Sequence, residues 1–284
     1  RKPILQLLAS VILIALPAYG NCSDEGLGTI RKRVTDELLQ TEVSDQHIVK
    51  LIHSLKNDGS WPYINYEDLS RTAFEHSRHT SNLVMMSLAY KKPGSKFYKN
   101  KELLKTIASA LDFWVKNDFI CENWWHNQIG TPDKLVRVML LVGDELPEEL
   151  VEKAQPIIGR ANLNASGARQ SGDRIKIAGI LAKNLLFNRD AERFEEVAEV
   201  IEAEIKFATG RGMQHDYSFH HRHDGVNNTL SYGLQYANVF AEWAVYVSGT
   251  QYAFSDKQLK HLTDYYLDGI CKMMVHGKYP DLGA

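Results

Sequence analysis

Residues 174–209 read RIKIAGILAKNLLFNRDAERFEEVAEVIEAEIKFAT. Apolar side chains recur at helical spacing on both sides of Asn188-Arg189-Asp190, as expected for helices that bury one face. Because this connection is so short, the two helices are expected to lie antiparallel and in contact. The stretch therefore predicts a helical hairpin.

The same periodicity extends over most of the remaining sequence, beginning with Ile30, Val34 and Leu38. No run has the strict alternation of a β-strand, so the sequence predicts an all-α fold of helical hairpins. Repeated hairpins form a solenoid, a bundle or a closed α/α toroid, and periodicity does not choose among these. The periodic stretches cover residues 71–91, 101–119, 132–143, 148–160, 174–188, 190–209, 228–248 and 256–275.

Two of these stretches begin with local capping signals. Thr131-Pro132-Asp133 places a hydroxyl, a first-turn proline and an acid in the order typical of a helix N-terminus. Ser255 and Gln258 have the spacing of a capping box. Helices with capped N-termini are therefore predicted at both positions.

The composition is that of a globular protein with one large domain. Of its 284 residues, 44% are hydrophobic and 24% are charged, which allows a sizeable core. The 33 Lys and Arg residues nearly balance the 35 Asp and Glu residues, giving a formal net charge of -2. This balance provides no global field to attract nucleic acid or an anionic membrane, so neither is an expected partner.

The first 20 residues have the pattern of an export signal. Arg1 and Lys2 precede an apolar run from Ile4 to Leu16, and Ala18-Tyr19-Gly20 has the form of a cleavage site. The apolar run is too short for a transmembrane anchor. We therefore expect a signal peptide at 1–20 and a periplasmic, cell-surface or secreted protein.

Residues 21–284 are expected to form one helical domain that is truncated at its C-terminus. The residues from Gly277 to Ala284 have the composition of a connection, and no closing element follows them. Cys121 and Cys271 are well separated in this domain. The sequence leaves open whether they are buried thiols or form one bridge.

Two long segments interrupt the helical pattern and are rich in aromatic and polar groups. The first, Cys121–Gly130, places two large flat faces among amide and imidazole groups, a combination that suits sugar binding in a half-exposed groove. The alternative is that the two tryptophans fill a gap between helices. The candidate binding residues are Asn123, Trp124, Trp125, His126 and Asn127.

The second segment runs from Gly210 to about Asn228 and contains His215, His220, His221 and His223. A zinc site is one interpretation, but no Cys ligand or recognised ligand spacing accompanies these histidines, so no metal site is predicted. A solvated polar loop is the second interpretation. The third, which we favour, is acid–base catalysis by a His and a Tyr.

A His–Tyr pair suits β-elimination at a uronic acid. Removal of the C5 proton places charge beside a carboxylate that is already negative, so the carboxylate must first be neutralised. A Tyr or His then abstracts the proton, and a Tyr returns one to the departing O4. Because an unperturbed Tyr has a pKa of about 10, a base role would require a nearby cation such as Arg222.

These motifs resemble polysaccharide lyase family 8, which contains the chondroitin AC, hyaluronate and xanthan lyases. The resemblance runs from Asp58-Gly59-Ser60-Trp61, through Asn123–Pro132, to residues 214–233. It implies the N-terminal α-helical domain of that family, an incomplete α/α toroid that β-sandwich domains normally follow. The implied activity is that of a carbon–oxygen lyase, which leaves a 4,5-unsaturated uronate at the new chain end.

Site residues follow from the resemblance. Trp124 and Trp125 match the family's aromatic patch, and Asn123 matches the residue before it. His223 precedes Tyr232 by the family's spacing, so these two are the implied catalytic pair. One extra residue lies between Asp216-Tyr217-Ser218-Phe219 and His223, which leaves His221 or His220 as alternatives.

The sequence also departs from the family pattern. The family's carboxylate-neutralising Asn lies in a Thr-Gly-Ala-Asn context before a helix, whereas this sequence has Gln170-Ser171-Gly172-Asp173-Arg174. Arg174 is expected to act by charge instead, and His221 and Arg222 are expected to bind acidic groups. A further Arg and a β-sandwich Glu of the family site lie beyond this chain, so little turnover is expected from it alone.

The resulting hypothesis is a monomeric lyase for an acidic, glycosaminoglycan-like polysaccharide of the chondroitin or hyaluronan type. No cofactor is required, although a structural calcium ion is compatible with it. Two alternatives remain. An α/α-toroid glycoside hydrolase would use a carboxylate pair such as Glu122 and Asp216. A non-catalytic carbohydrate-binding module would use the tryptophans alone.

Overall fold

The computed structural model describes residues 22–68, 70–72, 74–274 and 278. It confirms the predicted all-α class. The predicted signal peptide at 1–20 lies outside the described residues. Within the described ranges, no helix has both the length and the apolar content to cross a bilayer. Cys121 and Cys271 are both free thiols, which resolves the question left open by the sequence.

Helices account for most of the described chain. Short π-helical turns precede α5 and α9 and follow α10, at His126–Gly130, Thr229–Gly233 and Tyr265–Ile270. The α-helices are α1 (Cys22–Leu38), α2 (Asp45–Ser54), α3 (Ser77–Lys91), α4 (Lys101–Asn117), α5 (Thr131–Val142), α6 (Glu148–Ile158), α7 (Gly172–Asn188), α8 (Ala191–Glu204), α9 (Leu234–Val247), α10 (Asp256–Asp264) and α11 (Cys271–Met273).

The helices from α3 to α10 pack as successive hairpins. Within each hairpin, α3 packs on α4, α5 on α6, α7 on α8 and α9 on α10. The first helices of the hairpins also pack side by side, in the order α3, α5, α7 and α9, and we call these the inner helices. Helix α1 packs against α5, α7 and α9. This arrangement matches the predicted incomplete toroid of helical hairpins.

Helix α7 lies at the centre of the fold. It is in contact with α1, α5, α8 and α9, and most of its side chains are therefore buried. Gly179 lets α9 approach, because a Cβ at this position would lie 2.7 Å from Nε1 of Trp243. Any side chain there would force the two inner helices apart. The close packing gives the residues in the first turn of α7 a fixed position.

Three local features differ from the sequence predictions. Helix α5 continues directly from a π-helical turn, so Thr131 is its first residue and not a cap. At α10, the hydroxyl of Ser255 donates to Glu202 of α8 at 2.6 Å, and this tertiary contact replaces the predicted capping box. A short antiparallel hairpin, β1 (Gly212–Met213) and β2 (Phe219–His220), lies in the second loop segment.

Each inner helix is preceded by a connecting segment that is mostly non-helical, except before α5, where residues 124–130 are helical and the predicted interruption of the helical pattern is shorter than expected. We name these the pre-α3 segment (61–76, with residues 69 and 73 not described), the pre-α5 segment (121–130), the pre-α7 segment (162–171) and the pre-α9 segment (210–233). Contacts join them in this order, as detailed below. The inner helices thus bring four segments to one edge of the fold.

The motif Asp58-Gly59-Ser60-Trp61 begins this edge and has a packing role. Gly59 has φ +87°, and a Cβ there would overlap the carbonyl oxygen of Ser109. Trp61 is buried, and its Nε1 donates to the carbonyl oxygen of Leu51 at 3.0 Å. The motif therefore fixes the start of the pre-α3 segment against α2 and α4.

Candidate active site

The pre-α5 segment is held in place by its own side-chain amides. The backbone N–H of Cys121 donates to Oδ1 of Asn127 at 3.1 Å, and Nδ2 of Asn127 donates to the Cys121 carbonyl oxygen at 2.8 Å. Oδ1 of Asn123 accepts from the N–H of Trp125 at 3.0 Å, and Nδ2 of Asn123 donates to the carbonyl oxygen of Arg71 at 3.2 Å. Asn123 and Asn127, predicted to bind substrate, therefore fix the loop that carries the tryptophans.

Trp125 and His126 form the outer part of this segment. Trp125 is 41% exposed, and its ring meets the ring of His126 edge-on at a centroid distance of 5.2 Å. His126 also packs 5.1 Å from Phe74 of the pre-α3 segment. Burial lowers the pKa of His126, so its imidazole is neutral at pH 7. The exposed indole face is free to pack against the C–H face of a sugar.

Trp124 lies against the pre-α7 segment instead. Its ring is so close to Gly167 that a Cβ at this position would overlap it. Gln128 ties the same two segments together, because its Oε1 accepts from the Gly167 N–H at 2.8 Å and its Nε2 donates to Oγ of Ser166 at 3.0 Å. These contacts hold Trp124 half-buried between the two segments.

Arg169 of the pre-α7 segment stands over this tryptophan. Its guanidinium carbon is 5.1 Å from the Trp124 ring centroid, within cation–π range. The side chain is exposed and forms no ion pair with any described residue. A guanidinium with this exposure can bind a carboxylate or sulfate with two parallel hydrogen bonds.

Arg169 is not among the predicted site residues. The signal that identifies it is the run Ser166-Gly167-Ala168-Arg169, which has the form of the family's Thr-Gly-Ala-Asn context with an Arg in place of the Asn. The prediction placed that context a few residues later, around Arg174. The run nearer to Trp124 ends two residues before α7, and its Arg169 lies over the Trp124 ring.

The backbone of the pre-α9 segment is held by a different group of side chains. The hydroxyl of Thr229 accepts from the Phe219 N–H at 2.8 Å, and it donates to Oδ1 of Asn227 at 2.7 Å. The carbonyl oxygen of Phe219 accepts from the backbone N–H of Asn228 at 2.7 Å. Together these bonds anchor β2 to the π-helical turn that contains Tyr232.

His221 and Tyr232 stack face to face in this segment. Their ring centroids are 3.7 Å apart and their planes differ by 3°. Tyr232 is 41% exposed, and its hydroxyl has no hydrogen-bond partner among the described residues. Burial lowers the pKa of His221, which is neutral at pH 7. The stack therefore places the unbonded Tyr232 hydroxyl beside the His221 ring.

Nδ1 of His221 is the most informative unpaired atom of the site. It is buried and has no hydrogen-bond partner within the described ranges. Only the backbone N–H of His221 is bonded, to Oδ1 of Asn228 at 3.4 Å. An unpaired buried nitrogen costs free energy unless a ligand or a water completes it, and such groups concentrate at functional sites.

The other predicted histidines have different surroundings. His223 is exposed and lies beside Gly210, where a Cβ would be 3.1 Å from its Nδ1. His215 stacks on Phe207 at a centroid distance of 4.8 Å, and His220 faces the hydroxyl of Ser218 at 3.4 Å. The described residues contain no group of three or more His, Cys, Asp or Glu side chains placed to hold a metal ion.

Charged residues of α7 lie behind the His221–Tyr232 pair. Asp173 accepts an ion pair from Arg211 at 2.9 Å, and both side chains are largely buried. Nζ of Lys176, one turn further along α7, donates to Oε1 of Gln235 at 2.8 Å. Burial lowers the pKa of Lys176. Asp173, Arg211 and Lys176 all act electrostatically on His221, so the start of α7 is joined to the pre-α9 segment.

Arg174, which was predicted to bind an acidic group, forms an ion pair within the protein. Its Nε forms an ion pair with Oε1 of the buried Glu204 of α8 at 3.2 Å. Asp173 and Arg174 are adjacent on a helix and point about 100° apart, so Arg174 faces α8 while Asp173 faces Arg211. Arg174 therefore stabilises the end of the α7–α8 hairpin.

Comparisons with known proteins all identify the same family. Residues 23–282 match the sequence profile of polysaccharide lyase family 8, N-terminal alpha-helical domain. Chondroitinase-AC of Pedobacter heparinus is 27% identical over 244 residues, which are 84% of this chain and 34% of the relative. The xanthan lyase of a Bacillus species is 24% identical over 208 residues, covering 69% of this chain and 22% of the relative.

Solved structures show the same similarity. A chondroitinase AC lyase structure superimposes with a TM-score of 0.81 at 26% identity, over 88% of this chain and 37% of that one. The chain thus spans roughly a third or less of the length of these relatives.

Proposed function

Because the chain belongs to polysaccharide lyase family 8, we propose that it cleaves a uronic-acid-containing, glycosaminoglycan-like polymer of the chondroitin or hyaluronan type by β-elimination. The observation that carries this proposal is the stack of a neutral His221 on Tyr232, at the same edge of the fold as the Trp124–Arg169 contact. The edge combines a sugar-binding surface with an acid–base pair.

Binding begins at the pre-α5 and pre-α7 segments. The exposed face of Trp125 packs against a pyranose ring, and Trp124 supports it from the neighbouring position. Arg169 pairs with the carboxylate of the uronate through its guanidinium. This pairing offsets the negative charge that builds up beside the carboxylate when the C5 proton leaves.

Proton transfer takes place at the pre-α9 segment. The neutral imidazole of His221 accepts the C5 proton, and the C5–H electron pair forms the C4=C5 double bond. The C4–O4 bond breaks, and the hydroxyl of Tyr232 donates a proton to O4. The lowered pKa of His221 supports the base role, because the imidazole is unprotonated at neutral pH. The reaction needs no cofactor.

The rival glycoside hydrolase mechanism has weaker support in the geometry. A hydrolase needs one carboxyl group that is protonated at neutral pH. Asp216 accepts hydrogen bonds from the hydroxyl and N–H of Ser218, which lower its pKa. Glu122 is exposed and forms no ion pair within the described ranges.

The decisive experiment measures the product of the protein that carries this chain. Incubation with chondroitin sulfate or hyaluronan is expected to yield a 4,5-unsaturated uronate, which absorbs in the ultraviolet, whereas hydrolysis forms no such bond. Tyr232→Phe keeps the stacked ring and removes only the hydroxyl, so it is expected to lower kcat about 100- to 10,000-fold with little change in KM.

Tyr98→Phe is a matched control, because Tyr98 is equally exposed and lies far along the chain, between α3 and α4. It is expected to leave kcat unchanged. Full activity in Tyr232→Phe would rule out the mechanism. Loss of binding alone in Trp125→Ala, without any product in the parent protein, would favour a carbohydrate-binding module.

The proposed substrate also indicates in which compartment the protein acts. Acidic polysaccharides of this kind lie outside the cytoplasm, and the predicted signal at 1–20 would deliver a monomeric enzyme to them. Deletion of residues 1–20 is expected to retain the protein in the cytoplasm, as fractionation would show. Export of the deleted form would contradict this part of the proposal.

A further inference from the structure

A second concave surface is lined by residues that are not part of the candidate active site. It is a groove of about 360 Å³ between α2 and α3, closed at one side by Tyr63 of the pre-α3 segment. His47, Lys50 and Ser54 line it from one face of α2, while Arg78 and Asn82 line it from α3. The proposed reaction uses none of these residues.

The groove contains an aromatic side chain that is held beside a cation. Tyr63 is 46% exposed, and its hydroxyl accepts a hydrogen bond from Nδ2 of the buried Asn82 at 2.9 Å, which fixes the ring over the groove. Arg78 lies close enough to act on the Tyr63 hydroxyl electrostatically. An aromatic face held beside a cation is a surface that suits an acidic sugar.

The charged residues that line the groove are all basic. Lys50 and Arg78 are exposed, and neither forms an ion pair with a described residue. The residues that line the groove include no Asp or Glu. Both cations are therefore available to bind an acidic group of a ligand.

The groove is also connected to the active site. Tyr63 and Arg71 belong to the same pre-α3 segment, and the carbonyl oxygen of Arg71 accepts from Nδ2 of Asn123, next to the tryptophans. A polymer that is long enough to follow this segment from Trp125 to Tyr63 would occupy both surfaces.

We propose that the Tyr63–Arg78 groove is a secondary binding site for a remote segment of the same acidic polysaccharide, with one sugar on Tyr63 and its sulfate or carboxylate on Lys50 and Arg78. The nature of the ligand rests on the proposed function. The site raises affinity for long chains, because binding at one surface increases the local concentration of polymer at the other.

The test compares Tyr63→Ala/Arg78→Ala with its parent in the Tyr232→Phe background, where the polymer stays intact. Binding of long chondroitin sulfate chains, measured by calorimetry, is expected to weaken about tenfold. Binding of a chondroitin sulfate disaccharide, which engages one surface at a time, is expected to change little. Neutral dextran is expected not to bind either form.

Tyr98→Ala/Lys99→Ala is the matched control. Tyr98 is also exposed and has the amine of Lys99 5.4 Å from its ring centroid, so this variant loses the same kinds of groups outside the groove. It is expected to bind like the parent. Arg78→Glu, which keeps Tyr63, is expected to weaken long-chain binding as well, and thermal unfolding confirms that each variant is folded.

Unchanged long-chain binding in both groove variants would overturn the proposal. An equal loss in the Tyr98→Ala/Lys99→Ala control would also overturn it, because it would show only general attraction of a polyanion to lysines. The proposed lyase activity fails on a different result, the absence of unsaturated product from the parent protein. The two failures are therefore distinguishable.

Discussion

The pre-α5 and pre-α9 segments have similar backbones but differ in their polar side chains. Each ends in a π-helical turn that continues directly into an inner helix. In the pre-α5 segment, Asn123, Asn127 and Gln128 bond the backbone and leave aromatic faces exposed. In the pre-α9 segment, buried side chains such as Thr229 bond the backbone.

The difference separates binding from chemistry. The amides of Asn and Gln do not titrate near neutral pH, so they hold a flat surface in place rather than move protons. An imidazole and a phenol can exchange protons, and the proposed mechanism assigns that role to His221 and Tyr232. We therefore expect substitutions in the pre-α9 segment to change kcat, and substitutions around Trp124 to change stability and substrate affinity.

The largest expected effect distinguishes His221 from His223. His221→Ala removes the proposed base and is expected to lower kcat about 100- to 10,000-fold, whereas His223→Ala should change kcat less than tenfold because its ring lies beside Gly210. Steady-state kinetics on chondroitin sulfate or hyaluronan measures both. A large loss in His223→Ala with an active His221→Ala would restore the spacing-based assignment.

The next effect concerns the support of Trp124. Gly167→Ala places a Cβ where the Trp124 ring lies, so either the ring or the pre-α7 segment must shift, at a cost of about 1–3 kcal/mol in the free energy of unfolding. Urea unfolding measures this cost, and KM is expected to rise with it. Gly28→Ala is the control, because nothing lies within 4 Å of its Cβ position. Equal stability of the two variants would contradict the close contact.

A smaller effect is expected at Arg169. Arg169→Ala removes the proposed partner of the uronate carboxylate and should lower kcat/KM about tenfold, as one charge-assisted contact implies. Arg169→Lys keeps the charge but not the planar guanidinium, so it should recover only part of the loss.

Arg174→Ala serves as the comparison for Arg169. It leaves Glu204 without its closest cation and is expected to lower stability while kcat/KM stays the same. If Arg174→Ala reduced kcat/KM more than Arg169→Ala did, the carboxylate-binding role would return to Arg174.

The smallest effect is a shift of the pH profile. A base role requires neutral His221, so kcat/KM should fall as the pH drops through the pKa of His221, which burial places below the ordinary value of 6.5. Arg222 lowers this pKa further, and Arg222→Ala should therefore move the acidic limb to higher pH. Lys257→Ala, on an exposed turn of α10, should leave the profile unchanged. A shift to lower pH in Arg222→Ala would contradict the assignment.

Most of the helical architecture follows from the sequence. The long periodic stretches became α4, α5, α6, α7 and α8 with ends within a few residues, because each buries one continuous apolar face. The β1–β2 hairpin was not predictable by periodicity, since each of its strands has two residues. The hydrogen bond from Ser255 to Glu202 was also not predictable from the local sequence, because a distant helix supplies the acceptor.

The site was predictable in its segments and less so in its individual residues. Composition identified the two polar segments, and the family resemblance identified Tyr232, His223 and Arg174. Spacing along the chain cannot tell which way a ring points, and the structure stacks His221 on Tyr232. The direction of the Arg174 side chain likewise depends on the packing of α7 against α8. The roles of His223 and Arg174 stay predictions.

Gly233 couples Tyr232 to a much later part of the chain. A Cβ on Gly233 would overlap the hydroxyl oxygen of Tyr265, so the turn that carries Tyr232 sits directly on the π-helical turn after α10. The contacts that hold Trp124 are complete once Arg169 is present. Every residue that contacts Trp124 is thus made about a hundred residues before Tyr265, which Gly233 needs for its contact, so truncation after α9 would remove support from Tyr232 and none from Trp124.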